Sequence, residues 1–243
     1  MAQCLNCGRN GFFLSVDEYG LCKTCDLIVL MEVTQRARLI QESMDIINKS
    51  KKLDTQLSRC DFVIECAQAL LPFERKGIPT INPKPSELIE QFPAKRNEIL
   101  ITTLKAEVET ALAKSRLATS TKTKLSVLAK VLLRIREYIK QCTTPDELSF
   151  LEAKILNVMH QIQLNAYLEA AEKAELKGQK KKALDQYYEA LYFLKHDEVD
   201  DSMQRDQISA IEAKIAEIGG KVIDQSDESA IIPPVDEDLQ DAE

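Results

Sequence analysis

The sequence has no tryptophan, two histidines and 5% aromatic residues in 243 positions. Side chains that exchange protons near neutral pH, or that stack on bases, are therefore scarce. Glycine is rare too: there are seven, none of them between Ala94 and Lys177, where Pro145 is the one proline. A sheet-rich fold needs turn residues about every 8–12 positions, and a phosphate-binding loop needs clustered glycines. Long helices are expected instead, without nucleotide chemistry of the usual kinds. No apolar run approaches the roughly 20 residues of a membrane span; the longest is Leu27–Met31. The N-terminus has neither the basic start nor the apolar core of a secretory leader. The expectation is a cytoplasmic chain without membrane contact, whose seven cysteines read as thiols or metal ligands and not as a disulfide framework.

The net charge of −7 is unevenly spread. Eight acids follow Ile223 with no Lys or Arg among them, so residues 1–223 carry 32 basic against 31 acidic side chains. The acidity belongs to the tail.

Four cysteines form the pattern Cys4-x2-Cys7-x14-Cys22-x2-Cys25. Zinc takes four soft or borderline ligands in a tetrahedron, and a CxxC turn brings two thiolates to one ion. Gly8 follows the first pair and Gly20 precedes the second, where tight turns need backbone freedom. Residues 11–16 read as a strand, Asp17-Glu18 as a turn and residues 19–22 as the returning strand, with a helix beginning at the second pair. A redox CxxC would need one pair in a βαβ setting, which is absent. The layout resembles the treble-clef or zinc-ribbon class over about residues 1–35. That resemblance implies one structural zinc held by Cys4, Cys7, Cys22 and Cys25. Four protein ligands leave no open position for catalysis. With Arg9 and Lys23 against Asp17, Glu18 and Asp26, the finger is poorly suited to phosphate; Phe12, Phe13 and Tyr19 either meet a protein or pack internally.

After the finger, Val33, Ala37, Ile40, Met44 and Ile47 repeat at helical spacing, and so do Leu53, Leu57, Cys60, Ile64, Ala67 and Leu71. The phase break at residues 48–52 predicts an antiparallel helix hairpin or one kinked helix. Cys60, Cys66 and Cys142 read as buried small hydrophobes. Five prolines between Leu71 and Ala94 mark a connector, in which Ser86 could cap a short helix to Gln91. A long helix is predicted from about Pro93 to Leu117, with Leu100, Leu104, Val108 and Ala111 on one face. Another from about Thr121 carries Leu125, Leu128, Leu132, Ile135 and Ile139. Residues 95–140 hold 11 basic against four acidic side chains. Lys122, Lys130, Arg134, Arg136 and Lys140 are expected to be solvated, either as an ordinary helix exterior or as a surface for nucleic acid or an acidic protein.

Thr144-Pro145-Asp146-Glu147 is a helix-start signal, with Pro at the first helical position. Leu148, Leu151, Ile155, Val158 and Ile162 follow on one face. His160 lacks a ligand partner at helical spacing and reads as an ordinary helix residue. Tyr167, Ala171, Gly178, Ala183, Tyr187, Ala190 and Leu191 resemble one tetratricopeptide repeat, over residues 164–197. The resemblance implies close helix packing and a protein partner. A helix over about 201–218 should end at Gly219-Gly220.

The expected fold is thus mainly α: a Cys4 finger with a β-hairpin (1–35), a helical hairpin and Pro-rich connector (36–93), and a helical domain with TPR-like packing (94–220). A disordered acidic tail follows (221–243), in which Ile231-Ile232-Pro233-Pro234-Val235 is an apolar island serving either as a docking motif or within a solubilising tail. The whole layout resembles uncharacterised bacterial or phage proteins that join a short zinc finger to helices. No nucleophile–base pair or carboxylate cluster can be named, so no catalytic or organic-cofactor residue is assigned. The functional expectation is a non-enzymatic zinc-binding adaptor acting through protein–protein contact. The alternative is a nucleic-acid-binding protein using residues 95–140, with the acidic tail as competitor.

Overall fold

A computed structural model describes residues 2–196 and 201–221. The acidic tail with its apolar island, expected to be disordered, therefore lies outside the described residues apart from Lys221. Among the described residues the chain is mainly α, with seven helices after one small antiparallel hairpin. None of these helices is long and apolar enough to cross a membrane. By contact density the chain divides into two units, residues 1–118 with 126–155, and residues 119–125 with those from 156 onward.

In the first unit, β1 (Ala2–Gln3) pairs antiparallel with β2 (Asn10–Gly11), and α1 (Lys23–Lys49) leads out of the cysteine-rich segment. The break predicted at 48–52 is a true helix end. Ser50 leaves the helix with extended backbone, and α2 (Leu53–Arg75) starts three residues later, tied back by Gln56 Nε2 donating to the Ile47 carbonyl at 2.9 Å. This is a helix hairpin and not a kinked helix.

The predicted connector is shorter than its prolines suggested. Pro72 lies inside α2, and α3 runs unbroken over Pro85–Leu117 with Pro93 in its interior. An interior proline costs about 3 kcal/mol. Beside Pro93, however, α3 buries Leu88 and Phe92 against Cys60, Val63, Cys66 and Ala67 of α2 and Ile40 and Ile47 of α1. Two such side chains contribute roughly 3–6 kcal/mol together, which outweighs the break. Ser86 is likewise not the cap of a short helix. It sits in the first turn of α3, where its N–H and Oγ–H donate to Glu74 of α2 at 2.9 and 2.5 Å. A carboxylate from the preceding helix thus satisfies an open helix-start donor.

The buried face of α2 includes Leu53, Leu57, Cys60 and Ala67 of the predicted series, with Val63, Cys66 and Leu70 in place of Ile64 and Leu71. This helix is apolar on adjoining faces, so spacing alone left its rotation one residue uncertain. All four predicted face residues of α3 are buried, as are Leu128, Leu132 and Ile135 of α4 (Thr121–Ile139) and Leu148, Leu151 and Ile155 of α5 (Pro145–Leu176). Helix α5 begins at the predicted proline. Its Glu147 reaches Lys105 of α3 at 2.7 Å, and Thr144 Oγ1 accepts from Asn97 Nδ2 at 2.7 Å.

In the second unit, Leu164 and Ala171 of α5 pack with Tyr187, Ala190, Leu191 and Leu194 of α6 (Lys180–Lys195) and with Ile208, Ile211 and Ile215 of α7 (Asp201–Glu217). Gly178 turns the chain between α5 and α6 at φ +69°, with Gln179 N–H closing on the Ala174 carbonyl at 2.9 Å. A left-handed residue here costs glycine little, and this bond pattern is the common way a helix end satisfies its last carbonyls. Helix α7 ends before Gly219-Gly220 as expected.

Candidate metal centre

The first CxxC occupies the loop of the β1–β2 hairpin. Cys4 N–H donates to the Arg9 carbonyl and Gly8 N–H to the Cys4 carbonyl, both at 2.9 Å. This corrects the sequence reading, which put the hairpin between the two cysteine pairs. There only the Val16–Cys22 bridge forms. The intervening turn is organised by a side chain: Asp17 Oδ1 accepts from the N–H groups of Tyr19 and Leu21 at 2.9 and 2.8 Å. An aspartate that captures nearby amides competes with strand pairing and makes a turn of this kind. Gly20, at φ +72°, closes it. The positive φ favours glycine, and a Cβ here would stand 2.8 Å from Leu5 Cδ1, so a larger residue would also have to push the half-exposed Leu5 side chain aside.

Cys22 is the N-cap of α1 and Cys25 lies in its first turn. The positive end of a helix dipole favours thiolate there. The four Sγ atoms lie within 4.8 Å of one another, and Cys7 Sγ is 3.9 Å from Cys22 Sγ. Four thiolates at about 2.3 Å from one tetrahedral ion would be about 3.8 Å apart, so the cluster has the dimensions of a metal site. Cys4, Cys22 and Cys25 are buried and Cys7 is exposed. Cys22 N–H donates to Cys4 Sγ at 3.3 Å, a stabilising contact for a ligating sulfur. The thiols differ in acidity. Backbone N–H groups of Cys7 and Cys22 bring Cys4 down to about 6. Burial, then hydrogen bonds from the neighbouring cysteines, push Cys25 up to about 12. A bound cation is what would let four such close sulfurs carry negative charge together. These four cysteines, all assigned from the sequence, could hold a metal ion.

The module is anchored to the helices by contacts that sequence spacing could not show. Val29 of α1 and Ile78 of the α2–α3 loop are buried with Cys4, Leu21, Cys22 and Cys25, and Phe73 packs against them. Lys76 Nζ donates to both oxygens of Asn6, at 3.1 Å to the backbone and 2.9 Å to the side chain.

Around this anchored core the surface is apolar. Phe12 is 86% and Phe13 101% exposed, with Leu5 and Tyr19 about half exposed. Leu27, Leu30 and Met31 face away from the buried Cys25–Val29 side of α1, and Ile28 is exposed beside them. The sequence reading took this run only as the start of a helix. Its signal was there: five consecutive apolar residues on a helix cannot all face one core.

The other predicted residues separate. Cys60 and Cys66 are fully buried as expected, and burial raises both thiols. Cys142 is not: it is half-buried and its thiol donates to Asn97 Oδ1 at 2.9 Å. His160 stacks on Phe193, ring centres 4.7 Å apart. Of the five cations expected to be solvated, Arg134 pairs with Glu107 at 2.8 Å and Arg136 with Glu152 at 2.6 Å, while Lys122 belongs to the other unit. Glu107 was within the stretch counted, but its pairing across 27 residues, and that of Glu152 16 residues downstream, cannot be read from a charge count. Lys122, Lys130 and Lys140 are exposed.

No protein-family profile, no curated protein and no solved structure matches the chain.

Proposed function

We propose that this chain is a non-enzymatic, cytoplasmic adaptor: one structural zinc bound by Cys4, Cys7, Cys22 and Cys25 rigidifies an apolar surface that meets a protein partner. The observation that carries the reading is the position of the exposed large hydrophobic side chains. Among the described residues, eight of fifteen fall between Leu5 and Met31, on and beside the cysteine cluster. Apolar exposure concentrated in one segment supports an interaction surface, whereas single scattered residues do not. Four thiolate donors suit zinc and leave no position for substrate or water, which supports a structural role over a catalytic one.

Charge favours a protein over a nucleic acid as partner. A four-thiolate zinc centre carries about −2 formally beside Asp17, Glu18 and Asp26, and two of the four arginines of the basic stretch, Arg134 and Arg136, are paired with Glu107 and Glu152 of the same chain. Small residues buried at Ala171, Ala183 and Ala190 support a TPR-like crossing of α5 and α6, a second place for protein contact.

The test is capture from the native cell with the full chain and with Phe12→Ser/Phe13→Ser. These side chains bury little, so stability should change by less than about 0.5 kcal/mol and zinc content should stay at one per chain, while the retained protein is lost. Identical retention by both chains removes the surface from the proposal.

A further inference from the structure

Between α3 and α4 of the first unit lies a groove of about 530 Å³, within the size range of ligand pockets, roughly 300–1,000 Å³. Ala106 and Ala111 of α3 and Val127 and Val131 of α4 give it apolar walls. Its rim is cationic. Lys114 and Lys130 are exposed and have no carboxylate partner among the described residues, and Arg134 adds a third cation, paired with Glu107. Such a groove selects a ligand apolar at its centre and anionic at its ends. A nucleic-acid backbone supplies charge without the apolar centre, and a small anion would engage the rim alone.

One segment of the chain has this chemistry. Residues 224–238 place Ile231, Ile232 and Val235 between Asp227-Glu228 and Asp236-Glu237-Asp238, with no Lys or Arg among them. Pro233 and Pro234 also suit a groove made of two helices. Helix walls offer no free backbone partner, and proline brings no N–H that would need one. We propose that the α3–α4 groove docks the chain's own C-terminal segment, residues 224–238, the apolar side chains on the groove walls and the flanking carboxylates at Lys114 and Lys130. Any anion offered to Lys114 and Lys130 must then compete with the segment. The inference uses neither the metal module nor its apolar surface, and it stands or falls separately from the function proposed above.

The experiment uses the full chain in two arms. Carbodiimide cross-linking with peptide mapping should join Lys114 or Lys130 to carboxylates of 224–238, and high salt should abolish the products. A fluorescently labelled peptide of residues 224–238, followed by anisotropy on chains whose own segment carries Ile231→Ser/Ile232→Ser and so leaves the groove open, should bind about tenfold more tightly with Lys114 and Lys130 intact than with Lys114→Glu/Lys130→Glu. The variant's helicity by circular dichroism serves as control, since both lysines are exposed. A peptide with Ile231→Ser and Ile232→Ser should be weakened similarly. Cross-links confined to other lysines, equal affinity for the two chains, or undiminished binding of the serine peptide each overturn the proposal. So does the absence of both cross-links and peptide binding.

Discussion

The two ends of α1 meet two kinds of core. Near its start, Cys25 and Val29 pack with Cys4, Leu21, Cys22 and Ile78. Near its end, Ile40 and Ile47 pack with Val63, Ala67, Leu88 and Phe92. In the segment before α1, Leu21 is the one buried aliphatic side chain, worth about 2 kcal/mol, while Phe12 and Phe13 stand in solvent. That burial is far smaller than the cost of ordering some twenty residues at about 1–2 kcal/mol each. The hydrophobic effect therefore explains the second core and cannot explain the first, which needs a cross-link of another kind. Four sulfurs within reach of one ion could supply it.

The comparison breaks most visibly at the metal. Cys4→Ser/Cys22→Ser should lower zinc from one per chain to near zero by elemental analysis. A structural site is worth on the order of 10 kcal/mol, so amide exchange should show residues 2–22 unfolded while far-UV dichroism of the helices changes little. Collapse of the whole helical signal would mean that the two cores are one. The converse change is Leu88→Ala, which empties a site of 1% exposure in the second core. It should cost about 2–5 kcal/mol in urea unfolding and leave zinc content untouched.

Backbone geometry offers a finer contrast. Gly20 and Gly77 both have φ near +72°, but a Cβ at Gly77 would meet nothing within 4 Å, whereas one at Gly20 would strike Leu5. Alanine at Gly77 should cost about 1 kcal/mol. At Gly20 it should cost more and also weaken metal affinity, measured by competition with a chelator. The smallest effect concerns pH. Hydrogen bonds from the Ser86 side chain and backbone hold Glu74 below its ordinary value of 4.5. A depressed carboxyl contributes stability that is present above its unfolded value and lost as pH falls through its folded one. Glu74→Gln should therefore flatten the melting temperature's decline below about pH 4.5 without altering the neutral-pH dependence on zinc.

The two cores also differ in how much of them the sequence disclosed. Ligand spacing marked all four cysteines, because a metal site needs particular atoms at particular separations. Leucine periodicity placed α3, α4 and α5, because a helix buries one face. Features set by distant residues stayed hidden. Pro93 looked like a boundary until Leu88 and Phe92 were seen packed on α2. Arg134 and Arg136 looked free because Glu107 and Glu152 are far along the chain. The hairpin moved from residues 11–22 to 2–11 because Asp17 takes the amides that a strand pair would have used.

Helix α1 contains neither glycine nor proline across its 27 residues, with Cys25 in its first turn and Ile47 in its last. At 1.5 Å per residue it is a rod of about 40 Å. No hinge separates the cysteine cluster from the Ile40–Ile47 core. A partner that met Phe12 and Phe13, as proposed above, would be held at a set angle to the α1–α2 pair, so the cysteine-rich module would act as the head of a lever, and a pull on it would become a shear between two packed helices.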